Sequence, residues 1–350
     1  MFSWLTGSKP APTVSELWVY PIKSCRGTSV QESPYGEEGL EYDRQWMIVE
    51  ADTHKFLTAR TIPKMVLIHP IVNRSNGTLD VTVPSSSTDP SAPSQTFSVP
   101  LAHPSTYLSS PDSDPSLDHD FSVWGCDPQD GYLVGSPELI SALSEFMGRE
   151  VLLVRKGLTR RSVADVPGVV HSEGLDPVTG FSDFYAMLIA SRTSLNELTS
   201  RLPSLSSNAL FNASRWSPSA ISQQGGLEIA RFRANILVDG LKEAWEEDGW
   251  KRVRIGADEE VEVGLRCARC MLPSVDPQTA LRDKLVPDHL MKDRAVQPLT
   301  APKVCFGVLS SPIKKSGMIK VGDAVTVLDA YPKPKDGGPY VRSEDAAASE

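Results

Sequence analysis

The sequence predicts an α+β fold that is predominantly β. Many short segments rich in β-branched and aromatic residues are separated by glycine and proline, whereas only two segments have the periodicity of a helix. The chain has 350 residues, 40% of them hydrophobic, which is enough for one large or two ordinary domains. Short strands punctuated in this way favour barrels or sandwiches over a parallel sheet with helical crossovers.

The chain is predicted to contain two β-rich parts. After a flexible N-terminus over residues 1–12, an N-terminal β-rich domain spans 13–157. It carries an insertion at about residues 84–120, where Ser, Pro, Asp and Thr dominate. Such a segment has too little apolar surface to offset the entropy of ordering, so we expect it to be largely unordered. A second β-rich domain spans 158–330, followed by a disordered tail over 331–350.

The first part begins with three strand-forming patterns. A strand from Val14 ends at Pro21, because proline cannot donate a ladder hydrogen bond. Residues 42–60 have the β-branched and aromatic residues of a hairpin, turning at Asp52. Residues 78–83 alternate apolar and polar side chains, which predicts a half-buried strand.

Two helices are predicted outside these strands. The first begins after an N-cap at Ser136 and ends at Gly148, and a buried strand over 151–156 follows it. The second begins at Ser194, which can form a capping box with Glu197. A Ser-rich, mobile stretch over 203–225 should follow.

The remaining chain is predicted to be strands joined by tight turns. Gly256 and Gly322 lie where two of these turns would fall. The five predicted strands are ARFRANILVDG, WKRVRIG, EEVEVGLRC, VCFGVLS and MIKVGDAVTVLDA.

The charge and hydropathy of the chain exclude several classes of function. The net charge is −9, so no general electrostatic attraction to nucleic acid is expected. No run approaches the roughly 20 apolar residues that a membrane span needs. The first residues lack the features of a secretory signal. The default expectation is a cytoplasmic protein. A mitochondrial association stays open, although there is no clear targeting segment.

The pair Cys267 and Cys270 in RCARC has four readings. A structural zinc site needs further ligands, and no second Cys-x-x-Cys pair exists. A redox dithiol needs a strand followed by a helix, and prolines follow here instead. A third interpretation is two half-buried cysteines at a strand end, with no role in binding or redox chemistry. Finally, one thiolate can bind a metal whose other ligands belong to a cofactor, as in molybdenum held by a pterin dithiolene.

Polar and basic residues at strand ends and turns suit such a phosphate-bearing cofactor. The planar fork of arginine matches phosphate and ring acceptors. The candidates are Lys23, Ser24, Arg44, Arg233, Asn235 and Arg269.

Several separated segments resemble the MOSC superfamily, in particular its two-domain proteins of the mitochondrial amidoxime-reducing component type. The segments are WVYPIKSCRG, GLEYDRQWMIVEADTHKFLTAR, FRANILVDGLKEAWEEDGWKRVRIG, RCARCMLPSVDPQTA and GMIKVGDAV. The resemblance spans nearly the whole chain apart from the insertion and the two ends, and the order and spacing of the segments are more specific than any one of them. The resemblance implies a MOSC β-barrel domain packed with an N-terminal β-rich domain and a few peripheral helices.

The resemblance also implies a molybdenum-molybdopterin cofactor, with Cys270 as the metal ligand and a catalytic residue. The implied cofactor-binding residues are Lys23, Ser24, Arg44, Phe184, Tyr185, Arg233, Asn235, Ala268, Arg269 and Cys270. This chain departs from the family pattern at four positions. The family's FRPN is FRAN here, Ala268 and Ala280 replace common serine and glycine, and Leu309 stands where some relatives have tyrosine.

The implied activity is reduction of small N-hydroxylated substrates such as amidoximes and hydroxylamines, or of nitrite, by a molybdenum-dependent oxidoreductase. No dinucleotide fingerprint is present, and the resemblance implies electrons from a b-type cytochrome and its NADH-dependent reductase. Asp276 is a second candidate catalytic residue, for a proton or orienting role, and turn capping is the competing reading.

A different class of function stays open. The chain could be a module that binds or carries the cofactor, or handles its sulfur, without reductase activity. Molybdenum cofactor sulfurases have a pyridoxal-phosphate domain upstream, and nothing of that size precedes Val14, so pyridoxal phosphate is not expected here.

Overall fold

The computed structural model describes residues 11–86, 93–106, 117–124, 129–165, 171–201, 226–282, 286, 291–333 and 340. Within them, strands dominate, which confirms the predominantly β class. The strands and helices are β1 (Thr13–Val19), β2 (Thr28–Val30), β3 (Glu32–Gly36), β4 (Gly39–Leu40), β5 (Trp46–Glu50), β6 (His69–Asn73), β7 (Thr78–Pro84), β8 (Ser94–Pro100), β9 (Leu117–Phe121), β10 (Gln129–Val134), α1 (Pro137–Met147), β11 (Val151–Lys156), β12 (Met187–Ser191), α2 (Arg192–Ser200), β13 (Ile236–Asp239), β14 (Trp250–Ile255), β15 (Glu259–Ala268), β16 (Cys305–Pro312), β17 (Ser316–Lys320) and β18 (Val325–Ala330).

The largest sheet has eight strands in the order β18-β14-β15-β16-β12-β13-β1-β2. Its two ends are drawn together, because the Val14 N–H donates to the Asp323 carbonyl and the Gly322 N–H donates to the Val14 carbonyl, each at 2.8 Å. This curvature produces the barrel. Strands β12 and β13 are parallel and are connected through α2, so the barrel sheet contains a helical crossover of the kind that the short strands did not favour.

Three smaller sheets complete the fold, in the orders β5-β11-β10-β9, β6-β7-β8 and β17-β3-β4. Two of the four sheets combine strands from both sides of residue 157: β1 and β2 join the eight-stranded sheet, and β3 pairs with β17. The division of the chain into domains at that residue stays a prediction, and the strand pairing crosses it.

The hairpin predicted over residues 42–60 is present as a short one, with its turn at residues 51–53 as expected. An antiparallel bridge joins Val49 to Phe56, and the Glu50 N–H donates to the Lys55 carbonyl at 2.9 Å. The prediction missed the longer partner of β5, which is β11, about 100 residues later. Both faces of β5 are buried, with Trp46 and Val49 fully enclosed. The apolar character of the segment therefore reflects a strand whose two faces are both covered by the rest of the protein.

The insertion is more ordered than predicted. Residues 94–100 form β8, which pairs with β7 along its whole length, so this part of the prediction is wrong. The strand is exposed at most positions and is held by pairing contacts such as Thr82 Oγ1 to Thr96 Oγ1 at 2.9 Å. An edge strand of this kind has few apolar residues, so it is hard to recognise from the amino-acid composition of the segment. Residues 87–92 and 107–116 lie outside the described residues.

Helix α1 matches its prediction, and α2 begins earlier than predicted. The Ser136 side chain accepts from Leu139 N at 3.3 Å, and Gly148 ends α1 with φ 70°. In α2 the N-cap is Ser191, whose Oγ accepts from Ser194 N at 3.0 Å. The predicted capping box of Ser194 and Glu197 is therefore wrong, because Ser194 lies inside the first turn.

The predicted strand over residues 151–156 and the strands of the second half are present, except that the RFRAN stretch precedes β13 instead of belonging to it. The flexible segments predicted at 1–12 and 203–225 fall outside the described residues except for 11 and 12. In the tail, the Tyr340 carbonyl accepts from Arg266, so at least this residue contacts the body of the protein. No helix in the described ranges is long and apolar enough to cross a membrane.

Candidate functional site

A cleft of about 420 Å³ contains all the residues predicted to bind the cofactor. They come from the loops before β5, β12 and β13, from the loop after β1, and from the end of β15. They are Lys23, Ser24, Arg44, Phe184, Tyr185, Arg233, Asn235, Ala268, Arg269 and Cys270. The fold thus brings into one place residues that lie up to about 250 positions apart in the sequence.

Three of these residues have a left-handed backbone. The φ angles are 67° at Ser24, 48° at Arg44 and 57° at Arg233. A non-glycine residue in this region costs on the order of 1–3 kcal/mol and persists only where surrounding contacts enforce it. Such strain concentrates at functional sites, and here it orients three side chains that line the same cleft.

The cleft is positively charged although the whole chain is acidic. Among the described residues that line it, one is a carboxylate, Asp183, and six are basic. The basic residues are Lys23, Arg44, Arg60, Arg233, Arg269 and Lys303. A net charge of −9 therefore coexists with a local site suited to an anionic ligand.

Arg44 and Arg233 lie over the ring of Tyr20, with their guanidinium carbons 4.4 and 4.3 Å from the ring centroid. Arg44 also pairs with Asp43 and donates to Asn235 Oδ1 at 3.1 Å. Arg233 donates to the Cys25 carbonyl at 2.6 Å. Burial and the neighbouring Arg44 lower the pKa of Arg233 to about 10, so a bound anion at this position would relieve an unfavourable concentration of positive charge.

Lys23 also lines the cleft and is anchored by Asp183. Its Nζ is 2.5 Å from Asp183 Oδ1 and 2.7 Å from the Phe181 carbonyl oxygen. Burial lowers the pKa of Lys23 to about 8, although the Asp183 carboxylate opposes the shift. Burial raises the pKa of Asp183, but Lys23 and Arg60 outweigh this effect and hold it well below its ordinary value.

The two cysteines of RCARC have different environments. The Cys270 side chain is half-buried, lines the cleft and accepts from Arg60 Nε at 2.9 Å. Cys267 is 8% exposed, and its sulfur accepts from Arg269 Nη1 at 2.9 Å. Burial raises the pKa of Cys267, although Arg269 opposes the shift. Cys270 is thus the more accessible of the two sulfurs, and Cys267 is a buried thiol that orients Arg269.

The donor set of the cleft fits a phosphate-bearing pterin. Arg233 Nη2 and Arg269 Nε are buried and have no hydrogen-bond partner among the described residues. Buried donors are nearly always satisfied, so these two guanidinium nitrogens at one cleft are available to donate to a ligand. The oxygens of an anionic ligand would accept from them.

The structure does not support the hypothesis that the cysteine pair belongs to a zinc site. Where the structure describes the chain, no three His, Cys, Asp or Glu side chains are grouped to hold a metal ion. A metal bound through Cys270 would thus take its other ligands from a cofactor, which is the remaining metal reading of the pair.

Asp276 does not line the cleft. Its carboxylate pairs with Arg231 at 2.7 Å and accepts from the backbone N–H groups of Gln278 and Thr279 at 2.9 Å. This is the capping arrangement that competed with a catalytic role in the sequence, and the position of the side chain favours it.

Several residues of the cleft were missed from the sequence, among them Arg60, Trp124, Asp183 and Lys303. Arg60 ends a segment that carries the family resemblance, and Asp183 directly precedes Phe184, so proximity to recognised residues was the one available signal. Their roles depend on contacts between distant parts of the chain. Trp124 Nε1 donates to Asp183 Oδ1 at 2.9 Å, and Arg60 also pairs with Asp183.

Comparison with known proteins agrees with the geometry. The MOSC N-terminal beta barrel domain matches residues 11–109, and the MOSC domain matches residues 176–326. Mitochondrial amidoxime reducing component 2 of Rattus norvegicus is 29% identical over 89% of this chain and 82% of its own length. Mitochondrial amidoxime-reducing component 1 of Mus musculus is 27% identical over 90% of this chain and 82% of its own.

A second kind of relative is larger. Molybdenum cofactor sulfurase of Danio rerio is 29% identical over 85% of this chain, but the match covers only 31% of that protein. The two domain matches in this order, together with similarity along nearly the whole chain to proteins of the amidoxime-reducing type, place this chain in the MOSC family.

Proposed function

We propose that this protein is a molybdenum cofactor-dependent oxidoreductase that reduces N-hydroxylated compounds such as amidoximes and hydroxylamines, or nitrite. The observation that supports it best is the cleft itself, which gathers an accessible cysteine, a surplus of basic residues and two orphaned guanidinium nitrogens. Two relatives that match over 82% of their own length are named as amidoxime-reducing components, which supports the proposed reduction of amidoximes. We further propose a b-type cytochrome and its NADH-dependent reductase as the electron donors.

The residues of the cleft divide into three roles. Cys270 would hold molybdenum through its sulfur. Arg44, Arg233 and Asn235 would bind the anionic end of the cofactor, since they form one hydrogen-bonded group beside Tyr20. Lys23 and Arg269, which also line the cleft, would compensate further negative charge. When bound, the cofactor supplies a two-electron centre at which an N–O bond is reduced with two protons to release water.

The mouth of the cleft suits a partly apolar substrate. Trp124 is 51% exposed and Phe184 37% exposed, and both line the cleft. Leu309 lines it as well, where some relatives have a hydroxyl-bearing tyrosine. We expect these residues to exclude water from the reacting bond and to favour substrates with a flat apolar group.

The test compares the two cysteines, each of which is the matched control of the other. The full chain is expressed in a host that makes molybdopterin, and bound molybdenum, bound pterin and benzamidoxime reduction with a reconstituted electron chain are measured for wild type, Cys267→Ser and Cys270→Ser. We expect Cys270→Ser to abolish reduction and Cys267→Ser to be much milder. Equal loss in both variants, or stoichiometric zinc without pterin, would contradict the proposal.

A second candidate is a module that binds or carries the cofactor, or handles its sulfur, without reducing a substrate. The similarity to a molybdenum cofactor sulfurase favours it. It predicts wild-type protein that retains molybdenum and pterin but gives no turnover in the reconstituted assay. A cytoplasmic location also remains a proposal, because the relatives are named as mitochondrial. Fractionation of cells that express the full chain tests it.

A further inference from the structure

The hydrogen bond between Arg60 and Cys270 is the one polar side-chain contact described for the sulfur proposed to bind molybdenum. Arg60 Nε lies 2.9 Å from Cys270 Sγ, although the two residues are 210 positions apart. The other contact of this sulfur is with the backbone N–H of Leu272 at 3.4 Å. The sulfur thus receives a charged donor from the N-terminal half of the chain.

The Arg60 side chain is held from two further directions. Its Nη2 pairs with Asp183, and its guanidinium carbon lies 4.5 Å from the centroid of the Trp124 ring. Asp183 is itself fixed by Lys23 and by Trp124 Nε1. Because the carboxylate engages Nη2, the Nε–H is left to donate to the sulfur. A planar fork with two fixed partners has little freedom to move away.

We propose that Arg60 is a positioning residue that sets the electron-donating strength of the Cys270 sulfur and, through it, the reduction potential of the metal bound there. This inference rests on the proposed function. A hydrogen bond to a coordinating sulfur withdraws electron density from it and stabilises the reduced, more electron-rich centre. The Arg60 contact therefore raises the potential and favours acceptance of electrons from a donor protein.

The environment of Cys267 differs from that of Cys270 in a way that supports a specific role for Arg60. Its sulfur also accepts from an arginine at 2.9 Å, but that residue, Arg269, is two positions away in the same loop. Arg60 instead comes from the turn region between β5 and β6 and is held by Asp183 and Trp124, which are not neighbours of Cys270 in sequence. An arrangement that only stabilised the loop would not need this anchoring of the donor by Asp183 and Trp124.

The experiment measures the midpoint potential of the molybdenum centre in holoprotein by redox titration with electron paramagnetic resonance, beside molybdenum and pterin content. The variants are Arg60→Ala, Arg60→Lys, Asp183→Asn and the control Arg282→Ala. Arg282 contacts the Arg60 carbonyl but no contact joins it to the sulfur. We expect Arg60→Ala to lower the potential and to reduce kcat by about 10- to 100-fold at an unchanged KM.

Arg60→Lys keeps the charge but loses the Nε donor, so we expect it to lower the midpoint potential less than Arg60→Ala does. Asp183→Asn weakens the ion pair that holds Arg60, and we expect a similarly small decrease in the potential. The control should keep the wild-type potential. If Arg60→Ala fails to load the metal, the lysine and asparagine variants carry the test. A wild-type potential in every loaded variant overturns the role of Arg60 while leaving the proposed function intact. Wild-type protein without molybdenum overturns both.

Discussion

The Nη2 atom of Arg44 donates a hydrogen bond to the backbone carbonyl of Arg233 at 3.0 Å, so two arginines 189 positions apart form one group. Both guanidinium groups lie over Tyr20, and the Asp43 carboxylate that pairs with Arg44 balances one of the two positive charges. Because the two residues are joined in this way, we expect both to bind the same part of a ligand.

Replacing Arg44 or Arg233 by alanine should therefore weaken cofactor retention. A hydrogen bond to a charged group contributes about 1.5–3 kcal/mol, which corresponds to roughly 10- to 100-fold in affinity. Molybdenum and pterin content after dialysis measure the effect. The control is Arg252→Ala, which removes an exposed arginine of β14. Full retention in both cleft variants would show that the anionic group binds elsewhere.

Asp276 should act on stability and not on turnover. Replacing it by alanine leaves the buried guanidinium of Arg231 without this carboxylate and removes two backbone caps. Removing one partner of a buried pair costs about 3–5 kcal/mol. We expect a lower Tm and an unchanged kcat per bound molybdenum. Asp276→Asn, which keeps a capping oxygen, should be milder in Tm. A fall in kcat at an unchanged Tm would restore the catalytic reading.

Gly39 should be intolerant of a side chain. It has φ 104°, and a Cβ atom there would lie 2.6 Å from the carbonyl oxygen of Ala186, which lines the cleft. Strain and overpacking add, so Gly39→Ala should lower the free energy of unfolding by about 2–5 kcal/mol. Gly77→Ala is the control, because Gly77 also has a positive φ but open space around it. Its cost should be about 1–2 kcal/mol. Equal urea midpoints for the two variants would refute the steric argument.

Glu247 should make stability depend on pH. Its side chain is fully buried, one oxygen accepts from Ser191 Oγ at 3.0 Å, and burial together with the adjacent Asp248 raises the pKa of Glu247 to about 7. The folded state then holds a proton that the unfolded chain loses near pH 4.5. This contribution is complete below about pH 4.5 and is lost as pH rises to about 7. It amounts to about 3 kcal/mol at most.

The variant Glu247→Gln keeps a neutral side chain at every pH and should remove this slope. Urea unfolding at pH 5 and pH 8 measures it. We expect the variant to gain stability relative to wild type as pH rises, whereas the exposed control Glu243→Gln should follow wild type. Parallel profiles for Glu247→Gln and wild type would mean that the carboxyl is already ionised in the folded protein at pH 5.

Local patterns predicted some elements well and failed where partners are distant. Helix α1 carries its own caps at Ser136 and Gly148, and β7 alternates, so both were predictable. Strand β5 was interpreted only as half of a hairpin, because nothing near it in sequence reveals its longer pairing with β11. Strand β8 has few apolar residues, and its pairing with β7 provides the order that its composition does not.

The candidate site was predicted from the segments that resemble the MOSC superfamily. Residues whose role depends on contacts outside those segments were therefore missed. Residues inside those motifs, such as Cys270 and Arg233, could be assigned one at a time. Arg60 and Asp183 could not, since their importance comes from contacts across more than 100 positions of chain. The reading of Asp276 needed the position of Arg231, which no spacing rule supplies.

The pairing of β1 with β13 also bears on how the protein is made. Thr13 is opposite Asp239 in the ladder, so the first strand cannot join its sheet until that residue has left the ribosome. At about 5–20 residues per second, β1 waits roughly 10–45 s with an unpaired edge. During this interval the apolar residues Val14 and Leu17 lack their final neighbours. Chaperone binding to the nascent chain would protect this segment, and the cleft can accept a cofactor only after synthesis is nearly complete.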